Sequence, residues 1–211
     1  MITPTTEAAG ASRPEDWEGP AIVLASGSPR RSALLRAAGV PFDVVTPDIV
    51  EQSLPGEAPE ALARRLAIEK ALAVVSRVPE VKGRLVLAAD TIVVLAGRVF
   101  GKPRDEEHAV ELLQQLTGRR HRVITGIAVV RTGSSENVRT RVVASEVELR
   151  EADESELWAY ARSGEPLDKA GAYALQGEGR RFVQAVVGSE TNVIGLPIEE
   201  TLALLREARE A

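Results

Sequence analysis

The sequence predicts an α/β fold built on one mixed sheet, and three observations predict it. Apolar, β-rich runs such as Arg84–Leu95 alternate with a helical period such as that from about Pro59 to Arg77. Alternation of this kind builds helices onto a sheet. Helical crossovers, which join parallel strands, and tight turns, which join antiparallel ones, both occur. The composition is that of an ordinary folded protein, with 211 residues, 44% hydrophobic and 27% charged. There is no internal repeat and no inter-domain linker.

The elements follow in order. Ala21–Ala25 is apolar and reads as a buried strand. Ser26–Arg31 reads Ser-Gly-Ser-Pro-Arg-Arg and leads into a short helix, Ser32–Ala38, closed by Gly39. Ser28 suits the N-cap and Pro29 the first helical position. Phe42–Thr46 is strand-like and precedes an acidic loop, Pro47–Glu51. The long helix from Pro59 carries Leu62, Leu66 and Ala73 on its apolar face. Arg84–Leu95 is the strongest strand, and Ala96-Gly-Arg98 turns it into a hairpin with Val99-Phe100. Asp105 caps a helix through Leu116, which Thr117-Gly118 ends. His121–Thr132 and Val138–Leu149 pair as a hairpin. Asp153 and Glu156 form a capping box for a helix near Leu157–Arg162. A Gly-rich stretch, Gly164–Gly179, leads to a strand at Phe182–Val187 and a terminal helix at Glu199–Glu210.

Composition narrows the chemistry. With no cysteine, disulfides, thiolate zinc sites and cysteine nucleophiles are excluded. His108 and His121 are the two histidines, so a metal here is held mainly by carboxylates, which suits magnesium or manganese. A net charge of −5 argues against a nucleic-acid surface. No apolar run spans a bilayer, and the start of the chain lacks a secretory pattern, so a cytoplasmic enzyme with no membrane partner is expected. Residues 1–20 are expected to form a flexible tail before a single domain over 21–211.

Two features conflict with simple rules. Arg30 and Arg31 sit in a first helical turn, where the helix dipole is already positive. A bound phosphate would resolve that conflict, since free N–H groups, dipole and guanidinium forks converge there. The alternative is a capped helix with two solvated arginines. Asp90 interrupts an apolar strand, which is costly unless the carboxylate is paired, metal-bound or open to a cleft. It reads as a metal ligand, a general base or both, or as a residue satisfying backbone N–H groups at a kink.

Other candidates depend on context. Asp48 and Glu51 either join Asp90 at a metal or are solvated loop charges. Lys70 lies mid-helix, where a wet face is the default. Lys102 stands in the Gly–Pro framed loop Phe100–Arg104, which can present a side chain or be a plain surface turn. Pro166–Gly177 carries Asp168, Lys169, Tyr173 and Gln176 among small residues that permit close approach to a ligand. Gln176 can offer both a donor and an acceptor to a base edge.

Taken together, these segments resemble the Maf family of nucleoside triphosphate pyrophosphatases. The resemblance runs from Ile22 to about Leu205. It rests on Leu24–Arg31, Asp48/Glu51, Arg65–Ala71, Ala88-Ala-Asp-Thr91, Gly101-Lys-Pro103, Leu116-Thr-Gly118, His121–Gly126, Asp168–Tyr173, Gln176-Gly177 and Asn192–Pro197. The fold it implies is an elongated mixed β-sheet flanked by helices, with two lobes and a central cleft, as in inosine triphosphate pyrophosphatases. It also implies hydrolysis between the α- and β-phosphates with a divalent metal cation (Mg2+ or Mn2+), and often a homodimer.

The family's catalytic Asp corresponds to Asp90, and its residues for base selection to Arg30, Thr91 and Gln176. Asp-Thr at 90–91 and the Ala-Tyr and Gln-Gly pairs resemble the dTTP/UTP subfamily, and the 7-methyl-GTP subfamily differs there. On this resemblance Ser28, Arg30, Arg31, Lys70, Lys102 and Lys169 bind the nucleotide, and Glu51, Asp90 and Asp48 hold the metal. Relatives often carry an acid at Val50, so this site leans more on those three carboxylates. Two other readings stand beside it: an enzyme of the same fold that takes a purine or 7-methylated nucleotide, and, since the family is also linked to septum formation and cell-division arrest, a nucleotide-binding division regulator.

Overall fold

The computed structural model describes residues 17–77, 83–133 and 138–210. Seven strands form one mixed sheet in the order β2-β1-β3-β5-β6-β7, with β4 beside β3. These are β1 Ile22–Ala25, β2 Phe42–Val44, β3 Leu85–Leu95, β4 Arg98–Phe100, β5 Arg120–Arg131, β6 Val138–Leu149 and β7 Val183–Val187. β1 lies parallel to β2 and β3, while β3, β5, β6 and β7 run antiparallel. The helices are α1 Pro29–Ala37, α2 Pro59–Val75, α3 Glu106–Leu116, α4 Glu154–Ala161, α5 Glu190–Ile194 and α6 Ile198–Glu210.

Local signals explain some of the helix starts. The Asp105 side chain accepts from His108 N at 2.8 Å, and Asp153 with Glu156 closes the expected capping box. The Gly-rich stretch folds as three 3-10 turns, Glu165–Asp168, Ala170–Ala172 and Gly177–Phe182. The tail was expected to run to about residue 20. Residues 1–16 lie outside the described residues, but Trp17 is buried against the α6 side of the core and stacks with Arg209. No helix among the described residues is long and apolar enough to cross a membrane.

Strand β3 organises the molecule. Its first half pairs with β1 at Val86–Ala88, and its last residues pair with β4 from Val93 to Leu95. Between them, Ala89–Ile92 meets no strand on that edge among the described residues, while β5 covers the other edge throughout. The sheet therefore opens beside Asp90 and Thr91. A crevice past the carboxyl end of a parallel strand is where open α/β sheets take ligands.

Helix α2 closes one face of this opening. Ala63, Leu66, Ala67, Lys70, Ala71 and Val74 form its buried stripe, spaced as one helical face. The alanines let the helix backbone approach the sheet, and Gly126, opposite Asp90 in β5, completes the fit. A Cβ on Gly126 would overlap the Ala63 carbonyl.

Candidate active site

The opening in the sheet is the floor of a cleft of about 410 Å³. Neighbouring residues of a strand point to opposite faces, yet Asp90 and Thr91 both line this cleft. The gap between β1 and β4 gives each of them access. Ser28, Arg30, Arg31, Glu51, Lys70, Lys102, Lys169 and Gln176 line it too.

The chemical centre is an ammonium between two carboxylates. Lys70 Nζ donates to Asp90 Oδ1 at 2.5 Å and contacts Glu51 Oε1 at 2.9 Å. Lys70 and Asp90 are buried, at 6% and 4% exposure. Each would be costly to bury alone, and together each stabilises the other's charge. Burial pushes the Glu51 carboxyl up, but the Lys70 hydrogen bond and the charges of Lys70, Lys102 and Arg31 together hold it below its ordinary value. Asp90 Oδ2 has no hydrogen bond among the described residues and remains an acceptor for a ligand.

Asp48 is not part of this centre. It is exposed, does not line the cleft and pairs with Arg77 at 3.5 Å. The loop between β2 and α2 turns Glu51 inward, and a two-pronged ion pair from Arg65 to Glu57 anchors its far end. Among the described residues no group of three or more His, Asp or Glu side chains is placed to hold a metal. The pair that remains still suits magnesium or manganese, because such ions take one or two carboxylates and complete their shell with water and phosphate oxygens.

The arginine-bearing turn differs from its expected capping. Ser28 occupies the N-cap, but its side chain makes no cap bond. Ser26 supplies the acceptor instead, taking Ser28 N–H and Arg31 Nη1, both at 3.2 Å. Arg31 also donates from Nε to the Gly195 carbonyl at 2.8 Å and from Nη2 to Thr91 Oγ1 at 3.2 Å. Burial lowers its pKa, opposed by the charges of Asp90 and Glu51. Arg30 reaches across to Asp168 at 2.9 Å, linking α1 to the opposite wall.

That wall is built from the 3-10 turns. Lys169 Nζ binds Asp168 Oδ1 at 2.6 Å and the Glu165 carbonyl. The Glu165 carboxylate accepts Glu178 N–H at 2.9 Å, Gly179 N–H at 3.0 Å and Tyr160 O–H at 2.9 Å. It thereby shapes the turn that carries the exposed Gln176. Tyr173 lines the cleft and bonds His121 Nε2 at 2.7 Å, tying this wall to β5. Val93, Val123, Val193 and Ile194 add apolar surface. Ser26, Thr125, Gly126, Glu165 and Gly195 were not candidates from sequence. Thr125, Gly126 and Gly195 act through contacts between segments far apart in the chain, and Ser26 and Glu165 through bonds within their own stretches of it.

Comparison with known proteins gives the family. The Maf-like protein family matches residues 21–208. The dTTP/UTP pyrophosphatase of Anaeromyxobacter dehalogenans (strain 2CP-C) is 52% identical over 190 residues, covering 90% of this chain and 94% of that protein. The dTTP/UTP pyrophosphatase of Geobacter sulfurreducens is 48% identical over 185 residues, covering 88% and 95%. Among solved structures, the Staphylococcus aureus Ham1 protein aligns with 89% of this chain and 99% of its own at 19% identity, with a TM-score of 0.49. This chain belongs to the Maf family.

Proposed function

We propose that this protein hydrolyses dTTP and UTP to the monophosphate and pyrophosphate. The observation that carries the reading is Asp90, buried at a break in the sheet, ion-paired to Lys70 and open to a cleft lined with cations. The base preference is supported by relatives at 48–52% identity that are named dTTP/UTP pyrophosphatases.

In this reading Arg30, Arg31, Lys102 and Lys169 bind the triphosphate, and the N–H groups at the Ser28 end of α1 add to that field. Lys70 holds the Asp90 carboxylate in place, aimed into the cleft. Asp90 Oδ2 then accepts a proton from the attacking water. The water oxygen bonds the α-phosphorus, the bond to the bridging α–β oxygen breaks, and pyrophosphate leaves with its charge met by the arginines and lysines. A divalent cation held by Glu51 and Asp90 would supply further neutralisation of the phosphate oxygens. Gln176 hydrogen-bonds the pyrimidine edge above the apolar surface of Val93, Val123 and Ile194. Positioning and electrostatics supply most of the rate, as in phosphoryl transfer generally.

Product analysis over a panel of nucleoside triphosphates, with magnesium or manganese, tests the reading. Pyrophosphate and the monophosphate from dTTP and UTP are expected. Release of inorganic phosphate and a diphosphate, or action confined to purine nucleotides, would overturn it.

A further inference from the structure

The loop that brings Glu51 to the cleft has little of its own to hold it there. Residues 45–58 form neither helix nor strand. Ile49 packs partly against the core, but Val50 and Leu54 are 74% and 55% exposed, so apolar burial fixes little of the path. Polar bonds from α2 hold it instead. Arg77 reaches the Thr46 carbonyl at 3.4 Å and Asp48 at 3.5 Å, and Lys70 meets Glu51 at 2.9 Å. Arg65 takes the stretch that follows. Its Nε and Nη2 donate to the two Glu57 carboxylate oxygens, both at 2.7 Å. Nη2 also donates at 2.8 Å to the carbonyl of Gln52, the residue after Glu51. Nη1 meets Glu69 Oε1 at 2.9 Å, which ties the fork to its own helix. Glu57 Oε2 in turn accepts Leu54 N–H at 3.1 Å, so Arg65, Glu57 and the turn between them form one closed unit.

Lys70 is a poor anchor for a loop that must present a carboxylate to a metal. A divalent cation at Glu51 and Asp90 repels the ammonium that lies between them, so the Lys70 contact weakens as the metal binds. A hold on Glu51 that outlasts metal binding must come from outside those carboxylates, and the Arg65 bond to Gln52 does. We propose that Arg65 is a positioning residue for the divalent cation, holding the Glu51 carboxylate out to the metal by clasping Gln52 and Glu57. The inference rests on the assignment of Glu51 to the metal under Proposed function. Charge alone gives the opposite sign, since removing a cation near a metal site strengthens metal binding. Weaker binding on loss of Arg65 therefore reports lost geometry.

Mn2+ binding to the nucleotide-free protein, read from the electron paramagnetic resonance signal of free Mn2+, tests it in Arg65→Gln, Glu51→Gln and the double variant. Arg65→Gln is expected to weaken Mn2+ binding about tenfold, the worth of one hydrogen bond to a charged group. Its turnover of dTTP should need about ten times more metal and return as metal is raised. Glu51→Gln should weaken binding at least as much. Adding Arg65→Gln to it should then change affinity by less than about twofold, because two changes on one path do not add. Arg65→Lys keeps the charge but lacks the fork, so it should resemble Arg65→Gln. If Arg65→Gln fails to fold, Glu57→Gln opens the clasp from the loop side and carries the same expectation, alone and with Glu51→Gln. Unchanged or tighter Mn2+ binding in Arg65→Gln, beside weakened binding in Glu51→Gln, would overturn the inference alone, as would full additivity in the double variant. Wild-type affinity in Glu51→Gln would overturn it together with the assignment of Glu51 to the metal.

Discussion

The two walls of the cleft are built by different physics. On one side, Asp90 and Lys70 sit on a long strand and a long helix, both buried, in positions set by strand register and by close approach at Gly126. On the other, Lys169 and Gln176 sit on short 3-10 turns held by side-chain bonds from Glu165, Asp168 and His121. The first wall can place a reacting group rigidly, as catalysis requires. The second can change its side chains at little structural cost, as specificity loops do. In the proposed reading, chemistry belongs to the regular elements and choice of base to the turns.

The largest effect should come from splitting the buried pair. Lys70→Met leaves the buried Asp90 carboxyl without its ammonium partner, and breaking such a pair costs about 3–5 kcal/mol. Chemical denaturation should show that loss together with near-complete loss of turnover. Retained stability would mean that the first wall does not depend on the pair.

A pH effect should expose the clamp on the second wall. Burial pushes the His121 pKa down from 6.5 to about 4. Between those values the unfolded chain binds a proton that the folded protein refuses. Stability is thus complete above pH 6.5 and falls as pH drops towards 4, by up to about 3 kcal/mol. Melting temperatures from pH 7 to 4.5 should drop more steeply for wild type than for His121→Asn. Parallel curves would remove His121 from the account.

Gly126→Ala should act on the first wall without touching a charge. The added methyl meets the α2 backbone, so the helix must shift, at a cost of about 1–3 kcal/mol. Turnover should fall more than nucleotide affinity, because Lys70 moves relative to Asp90. An equal fall in both would place the damage elsewhere.

Gln176→Ala should have the smallest effect on the fold. Its side chain is exposed, so stability should change by less than about 0.5 kcal/mol. The preference for dTTP over CTP should drop roughly tenfold, the scale of one lost hydrogen bond. An unchanged preference would move base selection off this turn.

Much of the first wall was legible in sequence, because long elements carry long patterns. Asp90 stood out as a lone acid in an apolar strand, and the β5–β6 hairpin could be read from two β-rich runs. Lys70 was legible only in part. A mid-helix lysine defaults to solvent, yet its place four residues after Leu66, between Ala67 and Ala71, put it on the buried stripe. The second wall and the support of Arg31 were hidden. Helix α5 has five residues, too few for a period, and its neighbour Gly195 supplies only a carbonyl. Thr125 in a strand looks like ordinary β propensity until Thr91 and Asn192 are seen beside it. Asp48 and Glu51 look alike in a loop, and only the path of that loop separates the one that lines the cleft from the one that does not.

The central claim is that the Asp90 carboxylate performs the chemistry that the rest of the cleft only positions. Turnover and binding of dTTP by Asp90→Asn beside wild type test it most directly. The account predicts a fall in kcat of at least about 10²–10⁴-fold, with dTTP still bound by the arginines and lysines. Turnover within a factor of about ten of wild type, below the range that loss of a general base produces, would contradict it.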